Sequence, residues 1–308
     1  MARVAFLGSK DTGLAVLRTL LELVHSPHQL VGVVTPDDRA DARSRMPQLE
    51  DAVTGRMPFV VASSRGDTER ALNEWRPSIA FVVGWYSVLP LSSYPDTAFY
   101  GFHYSPLPRY RGNAPVVWQI LKGEPEIGLT LFRFSEGMDE GDIVAQESVP
   151  LHEDQGIGDA LTLLDARAID MLREHLSSVL DGTARLTRQD HTKATYVGAR
   201  VPEDGLIDWT LPAREIHNFV RAQTHPYPGA FTTLPDGRTL RIWRTQVDPR
   251  SYFGLPGAVA ERHDGAVVVT CGEGALRILD AQIDGQPPSA PETMLKSIKI
   301  RLGRARKE

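Results

Sequence analysis

The sequence predicts an α/β fold: a doubly wound, mostly parallel sheet over the first two thirds, followed by a small β-barrel-like domain. Three observations carry this. Short, continuous apolar runs recur along the first half. Stretches with helical spacing lie between them. After about residue 200 the pattern turns to short strands separated by tight turns.

Taken in order, residues 4–8 (VAFLG) read as a buried strand, and 13–23 follow with leucines at 14, 17, 20 and 21. Residues 30–35 (LVGVVT), 59–62 (FVVA) and 79–85 (IAFVVGW) are further apolar runs. Strands apolar on both faces, separated by helices, belong to a parallel sheet covered on both sides. In such sheets ligands bind beyond the carboxyl ends of the strands, so the segments after Leu7, Val34, Val83 and Phe102 are where chemistry is expected. Residues 98–102 (AFYGF) form the next strand, 114–121 a helix and 129–134 (LTLFRF) another strand. A long helix is expected over 158–180, with Asp181-Gly182-Thr183 as its stop. Later strands are read at 240–244 and 266–269, with turns at 235–237 and 263–265. The expected domains are 1–190 and 200–308, with the boundary in the polar segment 185–203.

Composition bounds the function. With 308 residues, 42% hydrophobic and 24% charged, the chain can bury a core and is not expected to be disordered. A net charge of -5 argues against a protein built to bind nucleic acid, which ordinarily carries a positive field. The single cysteine, Cys271, excludes an internal disulfide framework and a cysteine zinc cluster; in an apolar run it reads as a buried thiol. The first residues lack the apolar segment of a signal peptide and no run spans a membrane, so a cytoplasmic protein is expected. Gly8-Ser9-Lys10-Asp11-Thr12-Gly13 fits neither dinucleotide nor phosphate-loop patterns. The other histidines are scattered, and no metal is assigned.

The most informative stretch is 101–146. His103 leaves its strand into a loop of Ser105, Pro106, Pro108 and Gly112, which the prolines hold stiff. Downstream, glycines 137 and 141 flank Asp139 and allow a tight turn that brings a carboxylate towards another loop.

This stretch resembles the folate-dependent formyltransferase family, whose pattern is Asn-x-His-x-Ser-Leu-Leu-Pro, then Arg/Lys-Tyr/Trp-Arg-Gly, then Gly-Leu/Ile-Asp-x-Gly-Asp. His103, Ser105, Leu107, Pro108, Arg111, Gly112 and Pro115 match the first part; Gly137, Asp139, Gly141 and Asp142 match the second. The interval of 36 positions from His103 to Asp139 is similar to that of the methionyl-tRNA branch. Residues 205–209 (GLIDW) and 226–231 (PYPGAF) resemble the family's carboxyl-terminal domain, so the likeness covers nearly the whole chain.

The resemblance implies a Rossmann-like formyltransferase domain over 1–190, 10-formyltetrahydrofolate as co-substrate, and transfer of its formyl group to an amine. It implies His103 and Asp139 as catalytic, and Ser105 and Arg111 as acceptor-binding. Residues 82–90 resemble the pterin-pocket segment. Trp85 and Tyr86 there, with Gly137 and Asp142, are expected at the co-substrate, the alternatives being core aromatics and a turn aspartate. The chemistry suits these types. An alkylammonium, pKa ~10, is mostly unreactive at neutral pH, and a histidine titrating near ~6.5 can accept its proton. A neighbouring carboxylate orients the ring and favours its charged form. The alternative is a packed histidine near a turn aspartate.

One position departs from the pattern. The family's third catalytic residue, an asparagine, is Gly101 here. Loss of one oxyanion donor typically costs about 10²–10³ in rate. Asn113, a water or a backbone N–H are the candidates to replace it. The methionyl-tRNA branch carries a basic insertion after its second strand; residues 35–43 (TPDDRADAR) are short and mixed in charge. The expected acceptor is therefore a small amine such as an amino sugar, with tRNA as the runner-up. A folate- or amine-binding relative with altered catalysis is the other alternative. A homodimer is left open.

Overall fold

The computed structural model describes residues 1–303, and two compact units share the chain. The first comprises residues 1–112, 128–149 and 163–196; the second comprises 113–127, 150–162 and the chain from Val197 onwards.

The first unit is built on a seven-stranded sheet. Its strands are β1 (Arg3–Gly8), β2 (Gln29–Pro36), β3 (Phe59–Ala62), β4 (Ile79–Val83) and β5 (Ala98–His103), then β7 (Glu126–Arg133) and β8 (Ile143–Pro150). A two-residue strand β6 (Arg111–Gly112) intervenes outside the sheet. The order is β3-β2-β1-β4-β5-β7-β8. The first five strands pair in parallel, and β7 runs antiparallel to β5 with Gly101 opposite Phe132 and His103 opposite Thr130.

Alternation along each strand fills both faces. Val4, Phe6, Val33, Phe81 and Tyr100 pack against Leu17 and Leu20 of α1 (Lys10–Leu23). Leu172 and Leu176 of α5 (Ile157–Leu180) join the same cluster. Ala5, Leu7, Val34, Val82 and Phe99 face the other way, onto Leu72 and Trp75 of α3 (Arg65–Trp75). The short helix α2 (Met46–Val53) adds Leu49 and Val53 to the first cluster. This is the doubly wound arrangement read from the apolar runs.

In the second unit, α4 (Pro115–Leu121) is followed by the two-residue β9 (Tyr196–Val197, its tyrosine still in the first unit) and α6 (Ala213–Arg221). Five antiparallel strands then form one sheet: β10 (Ala230–Thr233), β11 (Thr239–Asp248), β12 (Val259–His263), β13 (Ala266–Thr270) and β14 (Ala275–Ile283). Their order is β10-β11-β14-β13-β12. Ile216 and Val220 of α6 pack with Leu240, Ile242, Val267, Leu276 and Ile278, and Cys271 is buried among them. A short helix α7 (Pro291–Met294) follows. Among the described residues no helix is long and apolar enough to cross a membrane.

Candidate active site

His103 is the last residue of β5, at the carboxyl end of the sheet, and is 8% exposed. Its Nε2 lies 2.8 Å from the carbonyl oxygen of Tyr110. A carbonyl can only accept, so Nε2 carries the ring's proton and Nδ1 is left as the lone-pair nitrogen. Nδ1 faces Asp139 Oδ2 at 3.7 Å. The edge of the ring stands against Phe132, with centroids 6.4 Å apart and planes at 77°.

Asp139 is held at its side chain and at its backbone. Its Oδ2 accepts the backbone N–H of Gly112 at 2.7 Å. Its backbone adopts φ 51, a left-handed conformation that costs a non-glycine residue about 1–2 kcal/mol. Gln189 stabilises that turn: its Nε2 donates to the carbonyls of Asp139 and Gly141 at 2.8 and 2.7 Å. Gly141 has no room for a side chain, because a Cβ there would lie 1.6 Å from the Arg133 carbonyl oxygen.

Arg111 completes the brace and is fully buried. Its Nη2 and Nε donate to Gln189 Oε1 at 2.7 and 3.2 Å, and its Nη1 donates to Glu140 Oε1 and to the Tyr196 hydroxyl oxygen, each at 3.1 Å. A bidentate guanidinium on one amide oxygen is a rigid contact. Ser105 is likewise fully buried and donates to the Arg109 carbonyl at 2.6 Å, closing the turn after His103. Thr130 donates to the Ser105 carbonyl at 2.7 Å. Ser105 thus closes its own loop, while Arg111 ties that loop to the Asp139 turn and to residues 189–196.

The remaining expected residues fall in several places. Residue Gly84, at φ 63, ends β4, so Trp85 lies beyond the strand. Trp85 lines a cavity of about 230 Å³ with Pro36, Ser64, Leu89 and Tyr94, and its indole Nε1 is buried without a hydrogen-bond partner. Tyr86 and Val88 are exposed, at 61% and 86%. Asp142 is half-buried and its backbone carbonyl accepts the Arg133 N–H at 2.9 Å. Gly137 opens the Asp139 turn, accepting the Glu140 N–H. Asn113 belongs to the second unit, is exposed, and donates its backbone N–H to the Val197 carbonyl.

Beside the site, Thr12 and Tyr104 each donate a hydroxyl to Asp165 Oδ1, at 2.6 and 2.5 Å. Burial raises the Asp165 carboxyl above its usual range, against the pull of those two bonds. In the loop after β2 every cation is paired. Lys10 Nζ meets Asp38 and Asp41 at 2.6 and 2.9 Å; Arg39 pairs with Asp37, Arg43 with Asp41 and Arg45 with Asp11. Burial pulls the Lys10 ammonium down, but the Asp38 and Asp41 bonds outweigh it and leave it raised.

Sequence reasoning missed Gln189, Tyr110 and Thr195. Gln189 and Thr195 lie in the polar segment read as a boundary, which has no apolar periodicity to betray a contact.

A buried imidazole with one nitrogen committed, a facing carboxylate and a braced turn thus lie together at the carboxyl edge of a doubly wound sheet, where such folds bind their ligands. Family models for formyl transferase match residues 2–169, and for the formyl transferase C-terminal domain residues 200–299. The chain belongs to the formyl transferase family, whose members are enzymes that transfer formyl groups. Methionyl-tRNA formyltransferase of Geobacter metallireducens is 32% identical over 97% of this chain and 97% of its own length. Among solved structures, the N-formyltransferase from Helicobacter canadensis in complex with folinic acid and dTDP-3-aminofucose shares the fold. It has a TM-score of 0.69 at 17% identity, covering 92% of this chain and all of that one. HypX from Aquifex aeolicus in complex with tetrahydrofolic acid matches with a TM-score of 0.63 at 18% identity, over 96% of this chain and 47% of its own.

Proposed function

We propose that this protein moves the formyl group of 10-formyltetrahydrofolate onto the primary amine of a small acceptor, such as an amino sugar. The observation that carries the reading is the His103–Asp139 pair. With Nε2 donating to Tyr110, the Nδ1 lone pair is the one ring site able to take the amine's proton as the new C–N bond forms. The Asp139 carboxylate at 3.7 Å then lies against the cationic ring, and the same nitrogen returns the proton to the departing folate nitrogen. The exposed Tyr86 and Val88 offer an apolar ledge for a flat heterocycle, and the orphaned Trp85 Nε1 a donor, which suits a folate.

The paired loop after β2 supports a small acceptor. A nucleic-acid phosphate would have to displace a carboxylate from each of Lys10, Arg39, Arg43 and Arg45, and the chain's net charge of -5 adds no general attraction. Formylation of methionyl-tRNA is the second reading, favoured by the named activity of the 32% identical relative.

The test mixes protein and 10-formyltetrahydrofolate with amino sugars, amino-sugar nucleotides and charged initiator tRNA, and reads N-formyl product by mass. Product on a small amine alone supports the proposal. Product on tRNA alone moves the acceptor to the second reading, and folate binding without any product rejects formyl transfer.

A further inference from the structure

We infer that Thr195 is a positioning residue for His103, fixing which ring nitrogen is the base although it lies outside the family's motif and does not touch the ring. The inference rests on the proposed formyl transfer for its kinetic consequence, but not for its structural one.

The Tyr110 carbonyl that holds Nε2–H points the right way because Tyr110 adopts φ 60, a conformation an L side chain does not choose freely. Something outside the loop must maintain it. Thr195 holds the loop through three hydrogen bonds. Its Oγ1 accepts the Tyr110 N–H at 2.8 Å, its carbonyl accepts the Arg111 N–H at 2.8 Å, and its N–H donates to the Pro108 carbonyl at 3.2 Å. The hydroxyl and the imidazole therefore hold opposite ends of one residue: Thr195 takes the N–H of Tyr110, and His103 gives to its C=O.

Thr195 is itself exposed, so it is not in the core. The same segment supplies Gln189, whose amide steadies the turn bearing Asp139. One stretch of chain, 189–196, thus braces both halves of the pair. Within that stretch, the Thr195 hydroxyl can be removed with little change of shape.

Thr195→Val keeps the branched side chain and both backbone bonds but removes the acceptor. That removes the bond which holds the Tyr110 N–H, weakens the hold on φ 60 and loosens the carbonyl that Nε2 meets. Both tautomers of the ring then become populated. Misplacing the tautomer in a triad lowers kcat by up to about 10⁴, and a partial loss here is expected to lower it about 10- to 100-fold. The KM for folate should stay within twofold, since no folate contact changes. Thr195→Ser retains the hydroxyl and should restore kcat.

The direct readout is the side-chain ¹⁵N spectrum of His103 in the full chain, assigned with His103→Gln. A protonated Nε2 and bare Nδ1 in the native protein, giving way to exchange between tautomers in Thr195→Val but not in Thr195→Ser, is the expected result. A native ring protonated on Nδ1, or a Thr195→Val spectrum and kcat like the native ones, overturns the inference. If the valine variant does not fold, Thr195→Ala, which also removes the acceptor, takes its place: tautomer exchange supports the inference and a native-like spectrum overturns it. Absence of turnover on every amine would defeat the proposed function while leaving this spectrum to judge Thr195.

Discussion

The ring of Phe134 occupies the space a side chain on Gly101 would need. A Cβ on Gly101 would lie 2.7 Å from Phe134 Cε1 and 2.5 Å from the Val82 carbonyl oxygen. Phe134 in turn lies against Phe132 with centroids 4.9 Å apart and planes tilted by 32°, and Phe132 meets the edge of His103. The place where the resemblance led one to expect an asparagine is therefore not empty; the Phe134 ring and the Val82 carbonyl stand in the path of a Cβ.

Gly101→Ala should accordingly destabilise the protein by about 1–3 kcal/mol, the usual range for overpacking a filled interior. Pairing it with Phe134→Ala should recover only part of this, because the Val82 carbonyl remains in the way. Thermal unfolding of the single and double variants measures both. A double variant as stable as the Phe134→Ala single variant would show that the strand itself has room.

Gln189 is the hinge of the brace on Asp139. Gln189→Leu removes two donors from the carbonyls of residues 139 and 141 and the acceptor of a fully buried guanidinium. Unsatisfied buried polar groups cost roughly 1–3 kcal/mol each, so a loss near the upper end is expected in urea unfolding. A variant indistinguishable from the native chain would mean the brace is not holding the turn.

The second unit carries a pH-sensitive group. His217 is buried and its pKa is lowered, first by burial and against the carbonyl of Glu153 that its Nε2 reaches at 2.8 Å. The unfolded chain protonates this ring near pH ~6.5 while the folded one resists. Its contribution is thus present above that pH and is lost as pH falls towards the lowered folded value. Stability should decline below about pH 6.5, and His217→Gln should flatten that limb. Equal slopes in both proteins would count against the assignment.

Cys271 is buried, and burial pushes its thiol up to about 12. The native protein should resist thiol alkylation at pH 8, and unfolding should release a normal thiol of pKa ~8.5. Rapid labelling of the folded chain would contradict this.

Some of these features were legible in the sequence and some were not, for physical reasons. Strands β1, β2 and β4 stood out because both faces are buried, leaving unbroken apolar runs such as Ile79–Val83. The expected strand to Trp85 stops at Val83 because Gly84 turns the chain, a conformation no apolar pattern encodes. The antiparallel direction of β7 is equally invisible, since pattern records burial and not direction. The His103 and Asp139 motifs could be paired because each is compact in sequence. Thr195 and Gln189 act through polar bonds that reach across 85 and 50 positions, which leave no local signature. Phe134 read as a strand residue, and only coordinates show it against Gly101.

The most direct test of the account is the rate of N-formyl product formation by the native protein, His103→Ala and Asp139→Asn, on whichever amine the native protein accepts. Loss of general-base catalysis is typically worth about 10²–10⁴ in rate. Both variants should fall by that order while still folding and binding folate. Turnover in His103→Ala within a fewfold of native would contradict the claim that this imidazole carries the amine's proton.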